Sequence, residues 1–367
     1  MGGFLRFKVQ KCHFRSVMMF ISIFLMTLIS INWGQNALFA TFGGLLFILI
    51  CIKDINLNPK WYILYFLLGI SSVVTLTKFG DIKITNMLGF ILSLLPFILF
   101  KNINRERLDD INKAIITVIK IHLILFYIQF FSYYVLSVNI SYLDLLGLES
   151  RNFDGSRAIG SVKIMRASGL FEEPSTYFAT MFLLSIPVIK IISGRFVFLI
   201  AVSGLISFST FAFLFSLLMI VLSFNRFSYY LRVALIILGS LIIPLVAKYQ
   251  YDRLFNINTN DYDAVSTRTS FLVAISERGV LENIIGQGVG SITFNENSNA
   301  DVGGLFFIIY IFGILGLPMI YLMIRNVRFS LLSLGMLFLK VPIYYPLFWF
   351  SVWIVSMLMI DKDEIKK

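Results

Sequence analysis

Runs of about twenty consecutive apolar residues recur from one end of this chain to the other, and each is long enough to cross the hydrocarbon core of a bilayer as a helix. The stretch 114–137 shows the pattern, with Lys120 as its one charge. A water-soluble globule cannot be built around so many such runs. Of the 367 residues, 58% are hydrophobic and 14% charged, where soluble domains have about 45–50% and about 25%. An outer-membrane barrel is excluded as well, because its strands would alternate apolar and polar side chains. The fold class expected is an all-α polytopic integral membrane protein, a single transmembrane domain over 1–367 with about 11–12 transmembrane helices.

The spans read as 17–33, 37–52, 61–77, 86–100, 114–137, 174–192, 195–207, 209–224, 231–247, 301–324, 329–340 and 343–360. Stretch 195–224 has two solutions. As one helix it would rise about 45 Å, well beyond a core of about 30 Å; otherwise it breaks near Ser207-Phe208-Ser209-Thr210 into two short helices. Stretch 329–360 poses the same choice around Lys340 and Pro342. Charge decides for two hairpins. With the N-terminus inside, Lys101, Arg105, Arg107 and Lys113 fall on the inner side together with Arg226, Arg232, Arg325 and Arg328. A single span over 195–224 would put those last four outside, against the positive-inside rule. The formal charge of +11 then belongs to topology and not to nucleic acid. Both termini are expected to be cytoplasmic. The basic, apolar start is expected to be a retained anchor, because no small-x-small cleavage site follows at Asn32-Trp33-Gly34-Gln35.

This topology leaves two long outer loops, 138–173 and 248–300. Long loops in a compact domain are uncommon unless they are functional or disordered. Within the second, Ser266 to Arg278 places Phe271, Leu272 and Ile275 on one helical face, the pattern of a short helix lying on the membrane surface. The loops carry Arg151, Arg157, Lys163, Arg166, Lys248, Arg253, Arg268 and Arg278. Long loops translocate regardless of charge, so these residues are not topology signals. A guanidinium grips phosphate oxygens bidentately, which suits the cluster to a lipid-linked phosphate. Any single arginine can equally pair with a loop acid or an anionic headgroup.

The stretch Arg166-Ala167-Ser168-Gly169-Leu170-Phe171-Glu172-Glu173-Pro174 resembles the Arg-x-x-Gly-x-Phe-x-x-Pro element of bacterial O-antigen and capsule repeat-unit polymerases (the Wzy type) and of the related O-antigen ligases. Arg268-Thr269-Ser270-Phe271-Leu272 is similar to their Arg-x-x-x-Leu element. Gly286-Gln287-Gly288-Val289-Gly290 is similar to their Gly-x-Gly-x-Gly turn, and Gly313-Ile314-Leu315-Gly316 to their Gly-x-x-Gly. The four matches cover 160–320 and keep the family's order. The resemblance implies a GT-C-like membrane glycosyltransferase at the outer face of the bacterial inner (cytoplasmic) membrane. Its substrate would be an undecaprenyl-pyrophosphate-linked oligosaccharide embedded in the lipid bilayer, and its neighbours a chain-length regulator and a flippase of the same pathway. It implies that Arg166 and Arg268 bind the donor pyrophosphate with help from Arg157 and Arg253, with Gly169, Pro174 and Gly288 shaping the substrate site.

The chemistry asks for no cofactor and no metal, since arginines can stabilise the charge developing on a pyrophosphate leaving group. Asp261-Tyr262-Asp263 reads either as a metal-ligating pair or as a solvated turn. Asp301 is either a general base for the acceptor hydroxyl or a helix N-cap. Glu172 and Glu173 beside Pro174 either complement a helix dipole or, through Glu173, orient the acceptor sugar. His122 reads as an intramembrane polar pair with Lys120. The ligase branch carries a histidine eleven positions before the Gly-x-x-Gly; here that position is Val302, which favours polymerase over ligase. A flippase of the same pathway is the alternative from another class, disfavoured by a nearly uncharged midplane and the absence of an internal repeat.

Overall fold

The computed structural model describes residues 2–31, 38–79, 84–101, 103–148, 158–159, 162–163, 165–230, 232–233, 235, 273, 275–288, 303–326, 335–336, 338–339, 341, 343 and 345–364. Helices α1 (Gly2–Thr27), α2 (Leu38–Ile50), α3 (Tyr62–Phe79), α4 (Ile84–Leu99) and α5 (Arg105–Tyr134) come first. After α6 (Tyr142–Leu145), strands β1 (Ala158–Ile159) and β2 (Val162–Lys163) form a short antiparallel ladder. Next come α7 (Pro174–Val188), α8 (Gly194–Leu205), α9 (Thr210–Ser223), α10 (Val280–Ile285), α11 (Gly304–Phe312), α12 (Leu317–Asn326) and α13 (Pro346–Glu364). Among the described residues, Arg105–Tyr134 and Gly304–Arg325 are long and apolar enough to cross a membrane, and eight shorter apolar helices accompany them. Phe66 and Val221 stand 68% exposed on helix surfaces, a surface that suits lipid better than water. The architecture is the all-helical one expected, compatible with an α-helical membrane protein.

α1 and α5 run side by side in one register. Arg15 holds Asp110 Oδ2 through Nε at 3.0 Å and Nη2 at 2.7 Å, and Ser16 Oγ donates to Asp110 Oδ1 at 3.1 Å. Twelve residues further along both helices, Thr27 Oγ1 meets His122 Nε2 at 2.8 Å. The sequence offset is 95 at both contacts, so the helices are parallel over a rise of about 18 Å. Thr27 Oγ1 also lies 2.6 Å from the Phe24 carbonyl oxygen. The expected pairing of His122 with Lys120 is corrected by the Thr27 contact. Residues two apart on a helix do not face each other; His122 is buried and Lys120 exposed.

α2 lies close on α1 at Gly43, whose carbonyl accepts from Ser22 Oγ at 2.8 Å. A small residue there lets two backbones approach, as small residues do between helices in lipid. The core of the bundle is aromatic. Trp349 and Trp353 of α13 are buried among Phe47, Phe90 and Phe97, and Trp353 Nε1 donates to the Phe100 carbonyl at 3.2 Å. The end of α4 is closed by the segment before α3, where Asn56 and Asn58 donate backbone N–H to the carbonyls of Leu99 and Ile98 at 2.7 and 2.8 Å. Those are terminal carbonyls that a helix cannot satisfy internally.

Stretch 195–224 is a hairpin of two short helices, as charge required. α8 ends at Leu205, Phe208 adopts φ +53°, and Ser209 caps α9 by accepting from Ala212 N–H at 3.5 Å. Arg226 then donates to the Ile189 and Ile192 carbonyls. This ties the end of α9 to the end of α7 and brings Lys190, Arg195 and Arg226 to one end of the bundle. The expected span 301–324 is present as Gly304–Arg325; within it the helix is interrupted at Gly313 (φ +57°), passes through a 3-10 turn over Gly313–Gly316 and resumes as α12. The helix that carries the first span begins at Gly2, and its apolar part runs from Phe14 to Thr27, short of the expected 33. Spans 231–247 and 329–340 lie almost wholly outside the described residues, as does the surface helix expected over Ser266 to Arg278 up to Val273.

The Gly43 contact makes a simple test. A Cβ at Gly43 would stand 2.7 Å from Met26 N and from Ser22 O, whereas one at Gly69 would meet nothing within 4 Å. Gly43→Ala should therefore destabilise the protein by about 1–3 kcal/mol through overpacking. Gly69→Ala, in the interior of α3, should be neutral or stabilising by up to about 1 kcal/mol. Thermal unfolding of the two variants in detergent measures both.

Candidate functional site

At the end of the bundle away from Arg15 and Asp110, the segment 165–173 is bound onto α5 before it enters α7. Tyr134 donates its hydroxyl to the Met165 carbonyl at 2.9 Å. Gln129 Oε1 accepts from the backbone N–H groups of both Ser168 and Gly169, at 2.9 and 2.8 Å, and its Nε2 donates to the Ile140 carbonyl at 2.8 Å. One buried amide therefore fixes the turn of the motif and the segment that follows α5. Gly169 sits at φ +60°, a conformation costly for residues with a Cβ. Ser168 Oγ closes the turn by donating to the Phe171 carbonyl at 2.5 Å.

Phe171 enters the core between His122, with ring centroids 5.0 Å apart, and Tyr177, at 5.9 Å. Tyr177 stacks on Phe126 at 4.7 Å and donates to Ser203 Oγ at 2.9 Å. Glu172 N–H donates to Ser30 Oγ, just beyond α1, at 3.1 Å. Pro174 opens α7 at its first position, where a missing N–H is harmless and its fixed φ fits a helix. Glu173 is the N-cap residue, but its side chain makes no cap bond; its Oε2 accepts from Ser175 Oγ at 2.9 Å. Arg166 is half-buried between the fully buried Met165 and Ala167, so the motif arginine is delivered to the bundle end by a segment anchored on both sides.

The two glycine elements meet each other. The break at Gly313 leaves the carbonyls of Tyr310 and Ile311 without helical donors, and the backbone N–H groups of Gln287 and Gly288 take them at 3.1 and 2.9 Å. Arg278 lies over the Tyr310 ring at 4.1 Å and donates Nη1 to the Tyr310 carbonyl at 3.2 Å. Burial draws the Arg278 pKa below its ordinary value, against the pull of Tyr310 and Glu282, which raise it. Gly286 and Gly288 have φ +74° and +87°. A Cβ on Gly286 would stand 2.1 Å from the Ile311 carbonyl oxygen, and one on Gly313 2.5 Å from that of Asn283. Gly288 also abuts Thr75 and Ser71 of α3. These glycines are needed for backbone packing, and Arg278 of the basic cluster is committed to the same joint.

Of the expected site residues, Arg166, Gly169, Glu173 and Pro174 are thus in one anchored segment, and Gly288 is in the glycine joint. Arg268, Asp301, Arg157 and Arg253 lie outside the described residues, as do Arg151, Lys248, Asp261 and Asp263. The N-cap of α11 is Gly303, not Asp301. Among the described residues no group of three or more His, Cys, Asp or Glu side chains could hold a metal ion. The sequence reading missed Gln129 and Ser30. Gln129 was detectable in principle, as a polar residue in an apolar span, two turns from His122 on the same face. Comparisons with protein-family models, curated proteins and solved structures return no match.

The two kinds of glycine predict different substitution costs. A Cβ on Gly169 would come no nearer than 3.7 Å to any neighbour, so Gly169→Ala should cost only the left-handed backbone penalty, about 1–2 kcal/mol. Gly286→Ala drives a methyl group into backbone and should abolish the monodisperse folded species. Size-exclusion profiles and melting curves in detergent separate the two outcomes.

Proposed function

We propose that this chain is a membrane glycosyltransferase that joins lipid-linked oligosaccharide repeat units into O-antigen or capsular polysaccharide at the outer face of the bacterial inner membrane. The observation that carries the reading is the anchoring of the Arg166–Pro174 segment. A motif of the polymerase type is held at one bundle end by Gln129, Ser30 and Tyr134, with its arginine half-buried. Such preorganisation suits a group that must meet charge as it develops.

In this reading an acceptor sugar hydroxyl attacks the anomeric carbon of the donor glycan. Its proton passes to a carboxylate, Asp301 or Glu173. The bond from the anomeric carbon to the pyrophosphate oxygen breaks, and undecaprenyl pyrophosphate leaves. Arg166 and Arg268 hold the phosphate oxygens, with Arg157 and Arg253 assisting, so the leaving group departs without a metal. The break in the 304–326 helix is the kind of feature that transporters use to coordinate ions through unwound carbonyls. Here the Tyr310 and Ile311 carbonyls are taken by Gln287, Gly288 and Arg278, which supports the transferase over the flippase.

Lysine keeps the charge of arginine but loses its planar fork. Arg166→Lys should therefore lower the polymerisation rate by roughly a hundredfold or more, the loss of about 2.7–4 kcal/mol of transition-state stabilisation. Arg151→Lys, in the same loop but outside any motif, should leave it unchanged. The readout is glycan length on a gel, normalised to protein level by immunoblot. Wild-type chains from Arg166→Lys at wild-type abundance would remove Arg166 from the donor site. A deletion strain that carries single-repeat glycans supports a polymerase; complete absence of the glycan supports a flippase or ligase.

A further inference from the structure

The side of α5 turned away from the bundle forms, with α8, an open groove of about 780 Å³ walled by Ile124, Ile128, Phe131, Phe196 and Leu199. Its one charged lining residue is Lys120. Tyr127 also lines it, but the Tyr127 hydroxyl is committed to the Leu199 carbonyl at 2.8 Å. Lys120 is exposed, and no carboxylate pairs with it among the described residues. The groove is thus apolar along its length and carries a single cation.

The cation stands at one end of the groove. The Tyr127–Leu199 bond sets those two residues at similar height. Lys120 lies seven residues, about 10.5 Å, from Tyr127 toward Arg105, and Ser193 lies six residues, about 9 Å, from Leu199 toward the start of α8. Lys120 is therefore level with the first turn of α8, where the exposed Arg195 stands and where Arg226 ties α9 to α7. From there the apolar wall runs to Leu136 at the other end of the groove.

We propose that this groove seats an anionic phospholipid of the leaflet on the Arg15–Asp110 side, its phosphate on the Lys120 ammonium and an acyl chain along Ile124, Ile128 and Phe131. The match is one of charge pattern, since a single cation at one end of an apolar channel complements an amphiphile with one anionic head and an apolar tail. A zwitterionic lipid would leave the ammonium without net counter-charge, and a partner helix would have to bring a carboxylate into the span, where such groups are costly. The site does not depend on the transferase reading.

The test uses the full chain purified in nonionic detergent, supplied with equal amounts of phosphatidylglycerol and phosphatidylcholine, with bound lipid counted by native mass spectrometry. The wild-type protein should retain phosphatidylglycerol in preference to phosphatidylcholine. Lys120→Gln should reduce that preference about fivefold, the worth of one lysine at an anionic surface, and Lys120→Arg should keep it. Ile128→Trp, which fills the groove, should lose the retained lipid altogether. Equal lipid ratios in wild type and Lys120→Gln would overturn the proposal. So would a lipid-independent dimer that Ile128→Trp converts to a monomer, since the groove would then be an interface between copies. Should Lys120→Gln fail to fold, the wild-type melting temperature in phosphatidylglycerol against phosphatidylcholine decides, and no difference overturns the site.

Discussion

The parallel register of α1 and α5 is the contact on which the candidate site depends. Arg15–Asp110 at one end and Thr27–His122 at the other fix the height of every group beyond them. Ser30 follows Thr27 by three residues and receives the Glu172 N–H, while Gln129 follows His122 by seven and receives those of Ser168 and Gly169. If α1 slid by one turn along α5, Ser30 would move about 5.4 Å, too far to keep its bond to the motif segment. Arg15 keeps 28% of its side chain exposed, so the pair adds little net stability, while its two-pronged contact fixes position. Arg15–Asp110 is therefore read best as a register device. The His122 ring, packed between Phe24 and Phe171, carries that register into the motif itself.

Charge is sorted along this bundle. Arg15, Asp54, Arg107 and Asp110 interlock at one end, and Lys190, Arg195 and Arg226 join them on that side through the α8–α9 hairpin. The Arg166–Pro174 segment stands at the other end. The hairpin returns the chain to the end of the bundle from which it came.

The parts of this fold that depend on local chemistry were legible in the sequence. Apolar run length marked the helices, and charge required a break in 195–224 near Ser207-Phe208-Ser209-Thr210, where Ser209 caps α9. The parts that depend on distant partners were not. Gly313, Gly316 and Pro318 weaken the helix locally, but the sequence does not show where the donors for the freed carbonyls of Tyr310 and Ile311 come from, which are Gln287 and Gly288. Closeness in sequence pairs His122 with Lys120, although helical geometry turns them apart; its partner, Thr27, is 95 residues away. In the candidate site the motif residues Arg166, Gly169 and Pro174 could be named from sequence. Gln129, which holds them, could be noticed only as an unexplained polar group in an apolar span.

The proposed function requires one polarity of the bundle, with the basic end cytoplasmic and the Arg166 segment facing out. Single cysteines at Asn104 and Leu145, both exposed and at opposite ends of α5, test it directly in a Cys12→Ser background, Cys51 being buried. A membrane-impermeant maleimide applied to intact cells should label Leu145→Cys and should reach Asn104→Cys only after permeabilisation. Labelling of Asn104→Cys but not Leu145→Cys in intact cells would invert the bundle and contradict catalysis at the outer face.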